Sequence, residues 1–188
     1  CTLFLAACGK QTVKIMTPPD ASNRVLFSAE QLQTTLDKAG YQVMMQQGDT
    51  TFSDPEIKTI LLTEVNDTTL KKEGFHIKNT SNMTKVSCRD GSGVIYGCRE
   101  LIDRVNDSEG KLNFPEELKD GPEMVLRGAC VGLQKMTYLP GHGVYEYPYT
   151  PESFPWFYDK EQWIKYLDML VANRMNSLKL WNGQPFAS

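Results

Sequence analysis

The chain has 188 residues and a net charge of −3, with 40% hydrophobic and 23% charged residues, close to the average for a globular protein of one domain or slightly more. No stretch reaches the roughly 18 consecutive apolar residues of a membrane-spanning helix, and Lys and Arg form no run longer than Lys71-Lys72, so neither a membrane span nor a nucleic-acid partner is expected. Because there is no CxxC pair and there are only two His residues, no metal site or cofactor is predicted, and buried free thiols are expected.

Hydrophobic periodicity predicts a strand, a helix and four further strands in the first half of the chain. Residues 22–39 carry apolar side chains at helical spacing, and Gly40 stands where a C-terminal cap is expected. The almost continuous apolar run 57–64 is typical of a central strand that is buried on both faces. The other predicted strands are 11–17, 41–45, and a hairpin formed by 75–79 and 83–88.

A second helix and then a linker are predicted next. Ser92, in a tight turn, is expected to cap a helix that continues to residue 105. Residues 106–122 are polar and rich in turn residues, which predicts a linker, and Glu116 and Glu117 within it are interpreted as solvated rather than catalytic. The residues before the linker therefore predict an α+β domain, with a mixed sheet and helices on one face.

A strand, a helix and another strand are predicted after the linker. The strands cover 124–132 and 176–181, and a long irregular loop rich in Pro, Gly and Tyr covers about 134–158. Asp159 is placed to cap the helix, with Gln162 at the capping-box position. Such a βαβ unit cannot bury its strands by itself, because parallel sheets need cover on both faces.

The first eight residues predict the remnant of a signal peptide. Leu5-Ala6-Ala7-Cys8 has the form of a bacterial lipoprotein cleavage box, in which small residues precede the Cys that is acylated. Cys8 is therefore the predicted lipidation site and membrane anchor, since more than one acyl chain anchors a protein stably. The alternative interpretation is a strand that ends in a small buried Cys.

Three segments in this order resemble family 20 glycoside hydrolases, the β-N-acetylhexosaminidases. Their small N-terminal domain has a hairpin, then a Gly-x-x-Tyr-Gly pattern that leads into a helix. Arg127-Gly128 resembles the start of their first barrel strand, and 166–181 resembles their first barrel helix and second strand. The residues that match the first pattern are Gly93, Tyr96 and Gly97, followed by Leu101 and Ile102.

The resemblance covers about residues 10–188 and implies a domain order. Residues 10–120 would form the α+β domain, and 121–188 the beginning of an incomplete (β/α)₈ barrel. Three positions depart from the hexosaminidase pattern: Lys135 replaces an Arg that holds sugar hydroxyls, Gly132 replaces an Asp, and Leu180-Trp181 replaces a Trp-His pair. The resemblance therefore implies the architecture rather than specificity for an N-acetyl sugar.

No catalytic residue is predicted within this chain. The resemblance implies an adjacent Asp-Glu pair on the fourth barrel strand, where Asp orients the acetamido group of the substrate and Glu protonates the leaving oxygen. The sequence contains no Asp-Glu dipeptide, so the 188-residue chain is expected to be inactive alone.

Candidate sugar contacts follow the two predicted barrel strands, because barrel active sites lie at the carboxyl ends of strands. Lys135 and His142 follow the first strand, and Trp181 and Asn182 follow the second. The aromatic residues of the long loop are interpreted either as a wall of the sugar cleft or as side chains that pack on one another and on the first domain. Arg127 is expected to pair structurally with a carboxylate, and His76 to face solvent.

Together these features predict the N-terminal part of a bacterial glycoside hydrolase, anchored in the cell envelope through Cys8 and acting on glycan substrates. The alternative is a lipid-anchored carbohydrate-binding or accessory module without catalysis. A following barrel with paired acidic residues would distinguish the enzyme from the module.

Overall fold

The computed structural model describes residues 10–48, 56–132, 151–152 and 154–180. Contacts divide the chain into two compact units, Cys1–Glu123 and Met124–Ser188, which are described in turn. No helix among the described residues is long and apolar enough to cross a membrane.

The first unit is a mixed sheet with two helices. Its strands lie in the order β2-β1-β3-β5-β4-β6. Strand β1 is parallel to β2 and β3, and β3 is parallel to β5, while β4 is antiparallel to β5 and β6. The elements among its described residues are β1 (Thr12–Thr17), α1 (Asn23–Lys38), β2 (Gln42–Gln47), β3 (Lys58–Glu64), β4 (Phe75–Asn79), β5 (Met83–Cys88), α2 (Gly91–Asp107) and β6 (Glu117–Asp120).

The core of the first unit lies between the sheet and the helices. Helices α1 and α2 pack against each other and against the strands, which places both on one face of the sheet. Alternate residues of the strands point into this core, as the period of two along a strand requires. Fully buried members include Ile15, Ile60, Ile77 and Val86 from strands, and Leu32, Leu36 and Leu101 from helices. The predicted mixed sheet with packed helices is confirmed.

Two glycines of the Gly-x-x-Tyr-Gly pattern allow α2 to approach the sheet closely. A Cβ atom on Gly97 would lie 2.6 Å from Val86 Cγ1, and a Cβ atom on Gly93 would overlap the carbonyl oxygen of Gly74. Tyr96, between them, is buried. The pattern therefore has a packing reason in this fold.

The predicted cap of α2 is wrong by two residues. Asp90, in an extended conformation, caps the helix: its Oδ1 accepts a hydrogen bond from the Gly93 amide at 3.0 Å, and its Oδ2 accepts one from the Glu73 amide at 2.8 Å. Ser92 Oγ instead accepts a hydrogen bond from Arg24 Nη1 at 2.9 Å, which links the first turns of the two helices. Asp90 therefore holds two backbone donors, one on each carboxylate oxygen.

Part of the predicted linker belongs to the sheet. Residues Glu117–Asp120 form the edge strand β6, in which Leu118 is the register partner of Ile77 and packs against the core. Only one apolar residue in this four-residue strand faces the core, so its sequence carries almost no periodic signal.

The second unit contains a βαβ arrangement among its described residues. Strand β7 (Gly128–Val131) and strand β8 (Ser177–Leu180) are parallel, and a 3₁₀ turn (Pro155–Tyr158) and helix α3 (Lys160–Ala172) lie between them in the chain. Strand β7 is shorter than the predicted 124–132. The predicted cap of α3 is confirmed, since Asp159 Oδ1 accepts a hydrogen bond from the Gln162 amide at 3.0 Å.

Candidate functional site

The carboxyl ends of β7 and β8 lie side by side. The strands are parallel and in register, with Val131 opposite Leu180, so the chain leaves both strands at the same edge. The predicted sugar contacts Lys135, His142, Trp181 and Asn182 follow these two ends but lie outside the described residues, as does Cys8. Their roles stay predictions.

Arg127 fixes the opposite end of the two strands. Its Nε donates to the Arg174 carbonyl at 2.8 Å, and its Nη1 donates to the Met124 carbonyl at 2.7 Å. The Asn176 side chain accepts from the Arg127 amide at 3.0 Å and donates to the Val125 carbonyl at 2.8 Å. Arg174, with a φ of 57°, turns the chain from α3 toward β8. These side-chain contacts of Arg127 are with backbone carbonyls, and its predicted pairing with a carboxylate stays a prediction.

Gly128 is a position where the two strands approach each other closely. A Cβ atom there would overlap Ser177, its register partner. In the Arg-Gly pair, Arg127 therefore binds the chain just before β8, and Gly128 is small enough for β8 to lie close beside β7.

An aromatic cluster surrounds the first turn of α3. Phe157 meets Trp163 edge to face with ring centroids 5.6 Å apart, and Trp163 meets Tyr166 in the same way at 5.9 Å. Trp163 Nε1 donates to the Phe157 carbonyl at 2.7 Å, and Phe154 is buried beneath the turn. This part of the aromatic segment packs on itself, which agrees with one of the two interpretations of the loop.

A pocket nevertheless remains open beside this cluster, at the carboxyl end of β7. Its volume is about 130 Å³, and its wall contains Val131, Trp156, Gln162, Trp163 and Tyr166. Trp156 is 42% exposed, and its ring is tilted by 41° from that of Trp163 at a centroid distance of 6.1 Å. Sequence reasoning missed this site, because it assigned Trp163 and Tyr166 to the apolar face of a helix and Gln162 to its cap.

The first unit presents a smaller polar cluster on the sheet face away from the helices. His76 Nε2 lies 2.7 Å from Glu117 Oε1, and Lys78 Nζ lies 3.8 Å from the same oxygen. These neighbours lower the pKa of Glu117, mainly through the hydrogen bond with His76 and then through the charge of Lys78. Glu117 is exposed, as predicted, but it lies in strand β6 instead of a linker and pairs with His76 and Lys78. The side chain of His76 is only 20% exposed.

The cysteines of the two units differ. Cys88 and Cys98 are free and buried in the core of the first unit, as expected, and burial raises the pKa of both thiols. Cys130 in β7 is free but exposed, so the expectation of burial is wrong for this residue. The residues that the structure describes contain no group of three or more His, Cys, Asp or Glu side chains placed to hold a metal ion.

Comparison with solved structures places glycoside hydrolases among the neighbours of this chain. A GH138 enzyme targeting pectin rhamnogalacturonan II matches at 56% sequence identity and a TM-score of 0.78, over 93% of this chain and 24% of that chain. The β-N-acetylhexosaminidase from Bacteroides fragilis NCTC 9343 matches at 20% identity and a TM-score of 0.56, over 91% of this chain and 29% of that chain. A GH20 β-N-acetylhexosaminidase from Streptomyces coelicolor A3(2) matches at 14% identity and a TM-score of 0.55, over 89% of this chain and 30% of that chain.

These matches confirm the predicted relationship to glycoside hydrolases. The likeness to the hexosaminidases, at low identity, concerns the fold alone. The chain spans 24% of the GH138 enzyme and 29% of the Bacteroides hexosaminidase. No protein-family model matches the sequence, and no curated protein matches it.

Proposed function

We propose that this chain forms the N-terminal part of a glycoside hydrolase that acts on pectin-type glycans. The observation that carries the proposal is the 56% identity with the GH138 enzyme over 93% of this chain, a range that includes both units. Identity at this level preserves local packing as well as topology.

A pectin-type substrate is favoured over an N-acetylhexosaminide. The two hexosaminidases share only 20% and 14% identity with the chain. The chain also lacks their sugar-holding Arg, since Lys135 stands in its place, and Lys cannot form the planar two-pronged contact of a guanidinium. We therefore propose the architecture of the hexosaminidases with a different sugar specificity.

The second unit is proposed to begin a (β/α)₈ barrel. Two parallel strands and one helix leave apolar side chains in solvent, such as Ile164 and Leu167 of α3, and further strand and helix pairs would cover them. The carboxyl groups that cleave the glycosidic bond are proposed to lie on those later strands. Lys135, His142, Trp181 and Asn182 would contact the sugar without taking part in proton transfer.

Cys8 is proposed as the acylated residue of a lipoprotein of the bacterial cell envelope. The support is the Leu-Ala-Ala-Cys sequence at residues 5–8. Expression of the complete reading frame in bacteria fed a labelled fatty acid should give a labelled, membrane-associated protein. A Cys8→Ser variant should lose the label, and a Cys88→Ser variant should keep it.

The test of the enzymatic proposal is digestion of rhamnogalacturonan II by the protein translated from the complete reading frame. Release of sugar from this substrate, with none from a chromogenic N-acetylhexosaminide, is the expected result. A reading frame that stops at Ser188, or a longer product that releases no sugar, would instead favour an accessory carbohydrate-binding module.

A further inference from the structure

The pocket beside β7 has a lining that suits a small polar ligand with an apolar face. Its volume is about 130 Å³, and Val131, one of its lining residues, is the last residue of β7. Ligand pockets of this kind combine mostly apolar walls with a few polar groups that fix orientation. The lining contains three aromatic rings and one carboxamide, which is this combination.

One aromatic wall is fixed and the other is open to solvent. Trp163 is held by the hydrogen bond from its Nε1 to the Phe157 carbonyl and by the edge of the Phe157 ring. Trp156 is 42% exposed, and its indole plane is tilted by 41° from that of Trp163. An exposed indole face beside a rigid one is suited to the apolar face of a pyranose ring.

Two polar groups of the wall are free to bind hydroxyls. Neither the Gln162 carboxamide nor the Tyr166 hydroxyl has a hydrogen-bond partner among the residues that the structure describes. A carboxamide both donates and accepts hydrogen bonds, and so does a phenol, so together they suit the hydroxyl groups of a sugar. None of the five lining side chains carries a charge.

We infer that this pocket is a binding subsite for a neutral pyranose, whose apolar face lies on Trp156 and whose hydroxyls meet Gln162 and Tyr166. The inference rests on the proposed function, and it specifies that one sugar unit of the glycan substrate is a neutral pyranose. A uronic acid is disfavoured here, because none of the described lining residues would offer its carboxylate a cation.

The inference is tested with the protein of the complete reading frame and two methyl glycosides, one of rhamnose (neutral) and one of galacturonic acid (acidic). Titration followed by saturation-transfer NMR should give binding of the rhamnoside and at least about tenfold weaker binding of the galacturonide. Trp156→Ala should weaken rhamnoside binding about tenfold, and Gln162→Ala should weaken it several-fold. Tyr158→Ala is the control, since Tyr158 is an exposed aromatic residue of the same turn that does not line the pocket.

The outcomes separate the subsite from the enzyme. No binding of the rhamnoside by the wild-type protein overturns the subsite, whereas release of sugar from rhamnogalacturonan II is measured separately and tests the proposed function. Equal losses in Trp156→Ala and Tyr158→Ala, with unchanged circular dichroism, also overturn it. Equal binding of the two glycosides overturns the preference for a neutral ring.

Discussion

The two units of this chain bury their apolar side chains to very different extents. In the first unit, residues such as Ile15, Leu36 and Ile77 are fully buried between sheet and helices. In the second unit, the described apolar residues that are buried are Phe154 and Leu170, while others are exposed in the β7–α3–β8 region: Met124, Val125, Leu126, Trp156, Tyr158, Ile164, Leu167 and Met169.

The difference shows that the first unit has a core of its own, whereas the described residues of the second unit do not form a comparable one. A six-stranded sheet with two helices encloses a core of its own, whereas two strands and one helix cannot enclose one. The first unit is expected to be stable by itself. Several large apolar side chains of the second unit are exposed, and apolar surface of this kind is normally covered by contacts with further protein.

Tryptophan gives a direct way to observe the two units separately. All three Trp residues, at positions 156, 163 and 181, belong to the second unit. Tryptophan fluorescence therefore reports the second unit, while far-ultraviolet circular dichroism is dominated by the helices and sheet of the first. Denaturation curves from the two probes should not coincide.

Thiol labelling should give the largest contrast between the units. Cys130 is exposed, while Cys88 and Cys98 are buried with raised pKa values, so they carry little of the reactive thiolate. Iodoacetamide should modify Cys130 at least about a hundred times faster than Cys88 or Cys98, as measured by peptide mass spectrometry. Comparable rates at the three positions would mean that the core of the first unit opens freely.

Removal of a core side chain from the first unit should cost the most stability. Phe75→Ala, at a buried position of β4, should lower the free energy of unfolding by about 3–5 kcal/mol in circular dichroism melts and leave the fluorescence transition in place. Leu167→Ala is the control in the second unit. Leu167 is 44% exposed, and its loss should change stability by less than about 1 kcal/mol.

The helix caps provide a matched pair of smaller effects. Asp90 holds two backbone amides from separate segments, whereas Asp159 holds the Gln162 amide. Asp90→Ala should therefore cost about 2 kcal/mol by circular dichroism, and Asp159→Ala should cost about 1 kcal/mol by fluorescence. Ser92→Ala should have a smaller effect than Asp90→Ala. A larger loss of stability in Ser92→Ala than in Asp90→Ala would indicate that Ser92 is the cap.

The smallest expected effect is the pH dependence of the β4–β6 edge. The pKa of Glu117 is lowered in the folded chain. The contribution of Glu117 to the free energy of unfolding is therefore complete above the ordinary pKa of a carboxyl group, and it is lost as the pH falls through the lowered pKa of the folded state. The urea midpoint should therefore fall slightly less for Glu117→Gln than for the wild type when the pH is lowered from about 6 to about 3. Glu116→Gln, the neighbouring change, should behave like the wild type.

Much of the first unit could be predicted because its elements are long and periodic. The 57–64 run and the 75–88 hairpin contain enough apolar residues at strand spacing to identify β3, β4 and β5. Strand β6 could not be found in this way, because its only core residue is Leu118. The cap on α2 was misplaced because Asp90 and Ser92 both suit an N-cap, and only the position of the Glu73 amide decides between them.

The candidate site was less accessible to sequence reasoning. The resemblance identified Arg127 and Gly128, whose contacts with the segment before β8 explain why that pair begins a strand. The pocket beside β7 depends on how Trp156, Trp163 and Tyr166 tilt relative to one another, which spacing along the chain does not encode. One signal was available: two aromatic residues three positions apart at the start of a helix, directly after an aromatic turn.

Hydrogen–deuterium exchange, measured on the 188-residue chain and on the protein of the complete reading frame, tests the contrast between the units most directly. We predict strong protection of β1, β3, α1 and α2 in both samples. Strands β7 and β8 should exchange rapidly in the chain alone and become protected in the longer protein. Equal protection of both units in the chain alone would contradict this account, because the second unit would then be complete without further structure.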